Sequence, residues 1–149
     1  MDDTASSASD PGRGPSRPIR ARDADDLLEV ARGLVQHGLV RRLWILLLTP
    51  GGTLLPQLQQ VDGIPVSPDA YAVLALRGLL GRIAEPEREI AVVLERPGAA
   101  RPTPDDWAWH DAVARAARGQ ALPLRSVLLA HSADVDLMEP DPPPRTLAA

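Results

Sequence analysis

The run LWILLL, Leu43 to Leu48, limits the fold more than any other stretch of this chain. Six apolar residues in a row are too few to cross a membrane and too uniformly apolar for a strand with one wet face. The run is therefore expected to be a strand covered on both faces. Ile90 to Leu94 is a second short apolar run, LPLRSVLLAH supplies a further strand, and VDLM a short last one.

The covering layers are legible as helices. Leu27, Val30, Ala31, Leu34 and Val35 recur at the spacing of one helix face, with Asp23 as cap, Asp26 at the third helical position and Gly38 as stop. Ser67-Pro68-Asp69 opens a second helix with a hydroxyl cap; it runs to about Ile83 and is apolar nearly all round, which predicts thorough burial. Thr103-Pro104-Asp105-Asp106 opens a third, closed at Gly119. TPGGT turns the first strand into a hairpin whose return arm covers Leu54 to Val61, at an edge or bulged at Pro56 because proline lacks the ladder donor. The order helix, hairpin, helix, strand, helix, strand, strand predicts α/β class: a single α/β/α layered domain with a mixed β-sheet.

Both ends depart from this pattern. Residues 1–20 are rich in Ser, Asp, Gly, Pro and Arg, and residues 139–149 hold a proline run, so both are expected to be disordered tails around a domain of residues 21–138. Within that domain twelve arginines face fifteen acids, so nucleic acid is not the expected partner. There is no cysteine, which excludes disulfides, thiolate metal sites and a cysteine nucleophile. No leader-like or membrane-spanning stretch is seen, so the expected compartment is the cytoplasm.

Few residues can carry chemistry. His37 reads as surface decoration at the end of the first helix, and His131 as a strand-end residue or an edge ligand. In the third helix Trp109, Ala112, Val113, Ala116 and Ala117 form the core face, leaving Trp107, His110 and Asp111 nearer solvent. Trp107 is either a partner anchor or a lid on the loop from Pro97 to Pro104. Asp105 and Asp106 suit helix capping better than acid catalysis or metal binding. Glu95 and Arg96 end a strand where α/β sheets often place ligand contacts, and are equally an ordinary charged strand end. No phosphate loop, H-E-x-x-H or G-x-S-x-G is present.

The stretches WILLLT, SPDAYAVLAL, VVLERPG, RPTPDDWA and LPLRSV, in that order and spacing, resemble the RadC-like branch of the JAB/MPN metallopeptidase-like family. The resemblance covers roughly residues 41–138 and implies a JAB/MPN-like fold with cytidine-deaminase-like layering. It also implies a zinc site built from two histidines and an aspartate, with a glutamate acting on the zinc-bound water. The corresponding positions here are Leu94, Arg96, Ala108 and, near the glutamate, Arg41. Leucine and alanine offer no donor atom, and arginine repels a dication.

The expected function is thus a metal-free RadC/JAB-like pseudoenzyme that binds a protein partner or a second copy of itself, with no cofactor. The resemblance places the contact surface at the former cleft, with Glu95, Arg96, Arg101, Asp105, Trp107 and His110. Two rivals stand beside it. One is a metal-dependent hydrolase with relocated ligands His110, Asp111 and His131; the other is an accessory to DNA repair, disfavoured by the acidic balance.

Overall fold

The computed structural model describes residues 19–139, so the two expected tails lie outside the described residues except at their inner ends. Among the described residues three helices and five strands follow in the predicted order. They are α1 (Ala24–Leu34), β1 (Arg42–Leu48), β2 (Gln59–Asp62), α2 (Ala70–Ile83), β3 (Glu89–Glu95), α3 (Pro104–Gly119), β4 (Leu124–Ala130) and β5 (Val135–Leu137). The sheet order is β2-β1-β3-β4-β5, with β3 and β4 parallel and every other pair antiparallel. The class is α/β with a mixed sheet.

The apolar run of β1 divides by parity. Leu43, Ile45 and Leu47 enter one core with Ile90, Val92, Leu94 and Trp109, under α2 and α3. Trp44, Leu46 and Leu48 enter the other with Leu27, Ala31, Ala91 and Val93, under α1. A strand wet on one face could not be apolar at both parities, which is why the run specifies a middle layer.

Several boundaries move. α1 stops at Leu34, not Gly38; His37 and Gly38 both take left-handed backbone at φ 55° and 68° in the following loop. A Cβ on Gly38 would lie 2.7 Å from the Arg96 carbonyl oxygen and from the His131 carbonyl carbon, so this glycine serves close approach to the sheet. α2 is capped by the Asp69 carboxylate, which accepts from Ala72 N–H, rather than by Ser67. The hairpin return arm is interrupted: Leu48 opposes Leu54, whereas Ile45 opposes Gln59, so three steps on β1 match five on the return arm across Pro56. Regular pairing covers only Gln59–Asp62, on an edge strand as proline demands.

The N-terminal boundary also shifts by two residues. Ile19 carbonyl accepts from Leu54 N–H at 2.7 Å, and Arg20 bridges Thr53. Residues expected in the tail thus extend the hairpin. α2 departs further from expectation: only Leu76 and Leu80 are buried, while Tyr71 and Leu74 are 80% and 65% exposed.

Candidate functional site

β3 delivers Glu95 and Arg96 to its carboxyl end, where the chain leaves the sheet. Both were expected on a contact surface; both are buried, at 0% and 4% exposure. Strand alternation sends them to opposite layers. On the α1 side the Glu95 carboxylate accepts from Trp44 Nε1 at 2.9 Å, Gln36 N–H at 2.7 Å and Gly38 N–H at 3.1 Å. This carboxylate ties the α1–β1 loop to the sheet.

On the other side, Arg96 meets the start of α3. Its Nε and Nη2 donate to the Asp106 carboxylate, the shortest contact being 2.7 Å, and Nη2 also donates to Arg101 carbonyl at 3.1 Å. Nη1 donates to Pro97 and Ala99 carbonyls at 3.2 and 2.8 Å. A guanidinium has five N–H donors, and each one here has an acceptor. Arg96 therefore organises the whole loop from Pro97 to Arg101 around itself.

Asp106 completes the arrangement. Its backbone N–H donates to Thr103 Oγ1 at 3.1 Å and its carboxylate accepts from Thr103 N–H at 2.8 Å, the reciprocal capping box foreseen from T-P-D-D. It is 1% exposed, so it is an ion-pair partner as well as a cap. Burial pushes its carboxyl pKa up, but the Arg96 and Thr103 hydrogen bonds and the guanidinium charge outweigh this and hold it below the usual 3.8.

A cavity of about 220 Å³ opens beside this pair, lined among others by Arg41, Val66, Arg96, Arg101, Thr103 and Asp105. Of the four positions that correspond to the resembled zinc site, Arg41 and Arg96 line this cavity. Leu94 is fully buried in the core, and Ala108 lines a different groove between α2 and α3. Arg101 is exposed and Asp105 half-buried. Two cations and a saturated ion pair suit an acidic or polar contact and offer no donor set for a divalent metal.

The remaining candidates separate. Trp107 is half-buried, packs on the core under α3, and stacks at a tilt on His110 with ring centroids 5.3 Å apart. His110 Nδ1 lies 3.7 Å from Asp111 Oδ1, beyond hydrogen-bond reach, and is buried without a partner among the described residues. His131 is buried elsewhere: its Nδ1 accepts from Ala133 and Asp134 N–H, which leaves Nε2–H to donate to Asp136 at 2.7 Å. It shares a small cavity with His37, not with His110. Among the described residues no group of three or more His, Asp or Glu side chains could hold a metal ion.

One surface was not foreseen. Between α2 and the edge strand β2 lies an apolar groove of about 330 Å³, lined by Leu43, Val61, Ile64, Tyr71, Leu79 and Trp109 among others. The available signal was the apolar residue on every side of α2: a helix at the end of a sheet has too little core to cover them all. No helix among the described residues is long and apolar enough to cross a membrane. No family model matches this chain, and no curated protein matches it.

Proposed function

We propose that this chain is a non-catalytic protein-interaction module, a pseudoenzyme on a RadC/JAB-like frame. The observation that carries the reading is Arg96. In the sequence correspondence it stands at a zinc-ligand position, and in the fold its guanidinium, 4% exposed, is committed to Asp106 and three loop carbonyls. On this reading a fixed positive charge with no lone pair stands where the resembled family has a metal ligand, and its hydrogen bonds hold the loop from Pro97 to Arg101. The rim residues Arg41, Arg101 and Asp105 stay available for a polar contact.

The test is made on the full chain purified without chelators. Elemental analysis is expected to find far less than one zinc per chain, and affinity purification at native abundance to recover a stoichiometric protein partner whose retention falls with Arg101→Glu. Stoichiometric zinc removed only by strong chelators would overturn the pseudoenzyme reading. A chain that recovers no protein, neither another species nor itself, would overturn the interaction role.

A further inference from the structure

We propose that the cavity beside the Arg96–Asp106 pair receives one acidic side chain, Asp or Glu, from an extended segment of a partner protein. Its carboxylate sits between Arg41 and Arg101, and its aliphatic neighbours lie on Leu39, Val40 and Val66. The inference rests on the interaction-module reading and gives that contact a partner chemistry.

Charge selects a monoanion. Of the five charged side chains that line the cavity, Arg96 and Asp106 cancel each other in their ion pair. Arg41 and Arg101 against Asp105 leave one unit of positive charge. Among the described residues neither Arg41 nor Arg101 has an ion-pair partner. A carboxylate neutralises this site. A phosphate dianion would leave it net negative beside Asp105, whose half-buried carboxylate is less screened than an exposed one. Guanidinium groups meet carboxylates through paired N–H donors, so two of them can converge on one acid without a metal.

Size and the apolar rim select a polypeptide over a free anion. At about 220 Å³ the cavity is below the range of clefts that enclose whole small-molecule ligands, roughly 300–1,000 Å³, and suits a single side chain. Leu39, Val40 and Val66 are 76%, 36% and 52% exposed. Val66 lines the cavity itself, and Leu39 and Val40 lead directly into Arg41. The Arg41 carbonyl accepts from Gly63 N–H at 3.2 Å, which joins the segment after α1 to the one after β2, and Trp109 Nε1 holds that second segment through the Pro65 and Val66 carbonyls, both at 3.1 Å. A free inorganic anion gains nothing from such a rim; a peptide with aliphatic residues on either side of its acid covers it.

The frame is set in advance. Arg96 gathers the Pro97 to Arg101 loop through three carbonyls, and Gly98 is pinned from the other side: its N–H donates to Ser132 Oγ at 2.9 Å and its carbonyl accepts from Ser132 N–H at 3.1 Å. Gly38 seats the loop after α1 against the Arg96 and His131 backbones. Binding therefore has little loop entropy left to remove.

One acid with an aliphatic flank makes a small contact, and a dissociation constant on the order of 10–100 µM is expected. The test selects a displayed library of random peptides on the full chain; enriched sequences are expected to share an Asp or Glu flanked by Leu, Ile or Val. The leading peptide is synthesised with a fluorophore and titrated by anisotropy. Arg41→Gln and Arg101→Gln should each weaken it about tenfold, and Leu39→Ser with Val66→Ser at least about threefold, with thermal melts matching wild type. Arg101→Glu should prefer the same peptide carrying Lys in place of its acid, and raising ionic strength from about 0.05 to about 0.5 M should weaken the wild-type complex several-fold.

No enrichment, enrichment without an acid, or a leading peptide indifferent to both arginine changes overturns the proposal. Binding insensitive to Leu39→Ser with Val66→Ser overturns the apolar rim, and inorganic phosphate that binds as tightly as the peptide assigns the cavity to a free anion instead. A native partner lost with Arg101→Glu but held through no acid of its own ends this inference and keeps the interaction role. An acid-dependent peptide bound to a chain carrying stoichiometric zinc keeps this inference and ends the pseudoenzyme reading.

Discussion

Arg96 brings a permanent charge into a nearly closed site, and its cost is met by the pairing with Asp106 and by complete satisfaction of the guanidinium. Removing one partner strands the other. Arg96→Met is therefore expected to destabilise the fold by about 3–5 kcal/mol, read as the shift in urea unfolding, whereas Arg96→Met with Asp106→Leu should cost clearly less than the single change. pH gives an independent handle. Because the folded pKa of Asp106 lies below its ordinary 3.8, its stabilisation is complete above that value and is lost as pH falls through the lower folded value. Unfolding free energy should thus decline below about pH 4, and Asp106→Asn should flatten that part of the profile while lowering stability at neutral pH. The cap at Thr103 and Asp106 was legible because capping is a matter of three neighbouring residues. The ion pair was not: the sequence places Arg96 ten residues from Asp106 and does not say that the loop between them folds back.

Elements were legible wherever one local signal sufficed. The parity of β1, the entrance of α3 and the edge placement of the Pro56 arm all follow from covalent or near-neighbour physics. The misplacements share a different cause. Gly38 was read as a helix stop because it permits positive φ, yet its φ of 68° serves a loop that lies against the Arg96 and His131 backbones. Gly38→Ala combines a left-handed backbone with a 2.7 Å approach, and about 3 kcal/mol of destabilisation is expected in thermal or urea melts, whereas Gly33→Ala, inside α1 and meeting nothing within 4 Å, should be neutral or stabilise by up to about 1 kcal/mol. α2 was expected to be buried because its sequence is apolar all round. It lies instead over the β2 end of the sheet, where the edge strand is four residues long and cannot cover it. Apolarity without a covering layer becomes a surface.

At the scale of the molecule, Arg125 joins segments far apart in sequence at the end of the sheet opposite Arg96, where β3 and β4 begin and β1 finishes. Its Nε donates to Glu89 at 2.6 Å, Nη1 to Ala21 carbonyl at 2.9 Å and Nη2 to Pro50 carbonyl at 2.9 Å. Arg125→Ala should loosen the N-terminal segment from the hairpin without unfolding the sheet. Hydrogen exchange would show this as faster exchange at the Ala21 and Leu54 amides, which bond across that junction, with β3 protection unchanged. The same reach separates what the chain alone could reveal from what it could not. Its apolar runs, caps and turns dictated a covered strand, three helices and an α/β layering, because each depends on residues within a few positions of one another. Which candidate residues are exposed and which are walled in was decided by the sheet order and the return of the loop after β3. Burial depends on what arrives from elsewhere in the chain, and so Glu95 and Arg96 became the framework while Tyr71 and Leu74 became the surface.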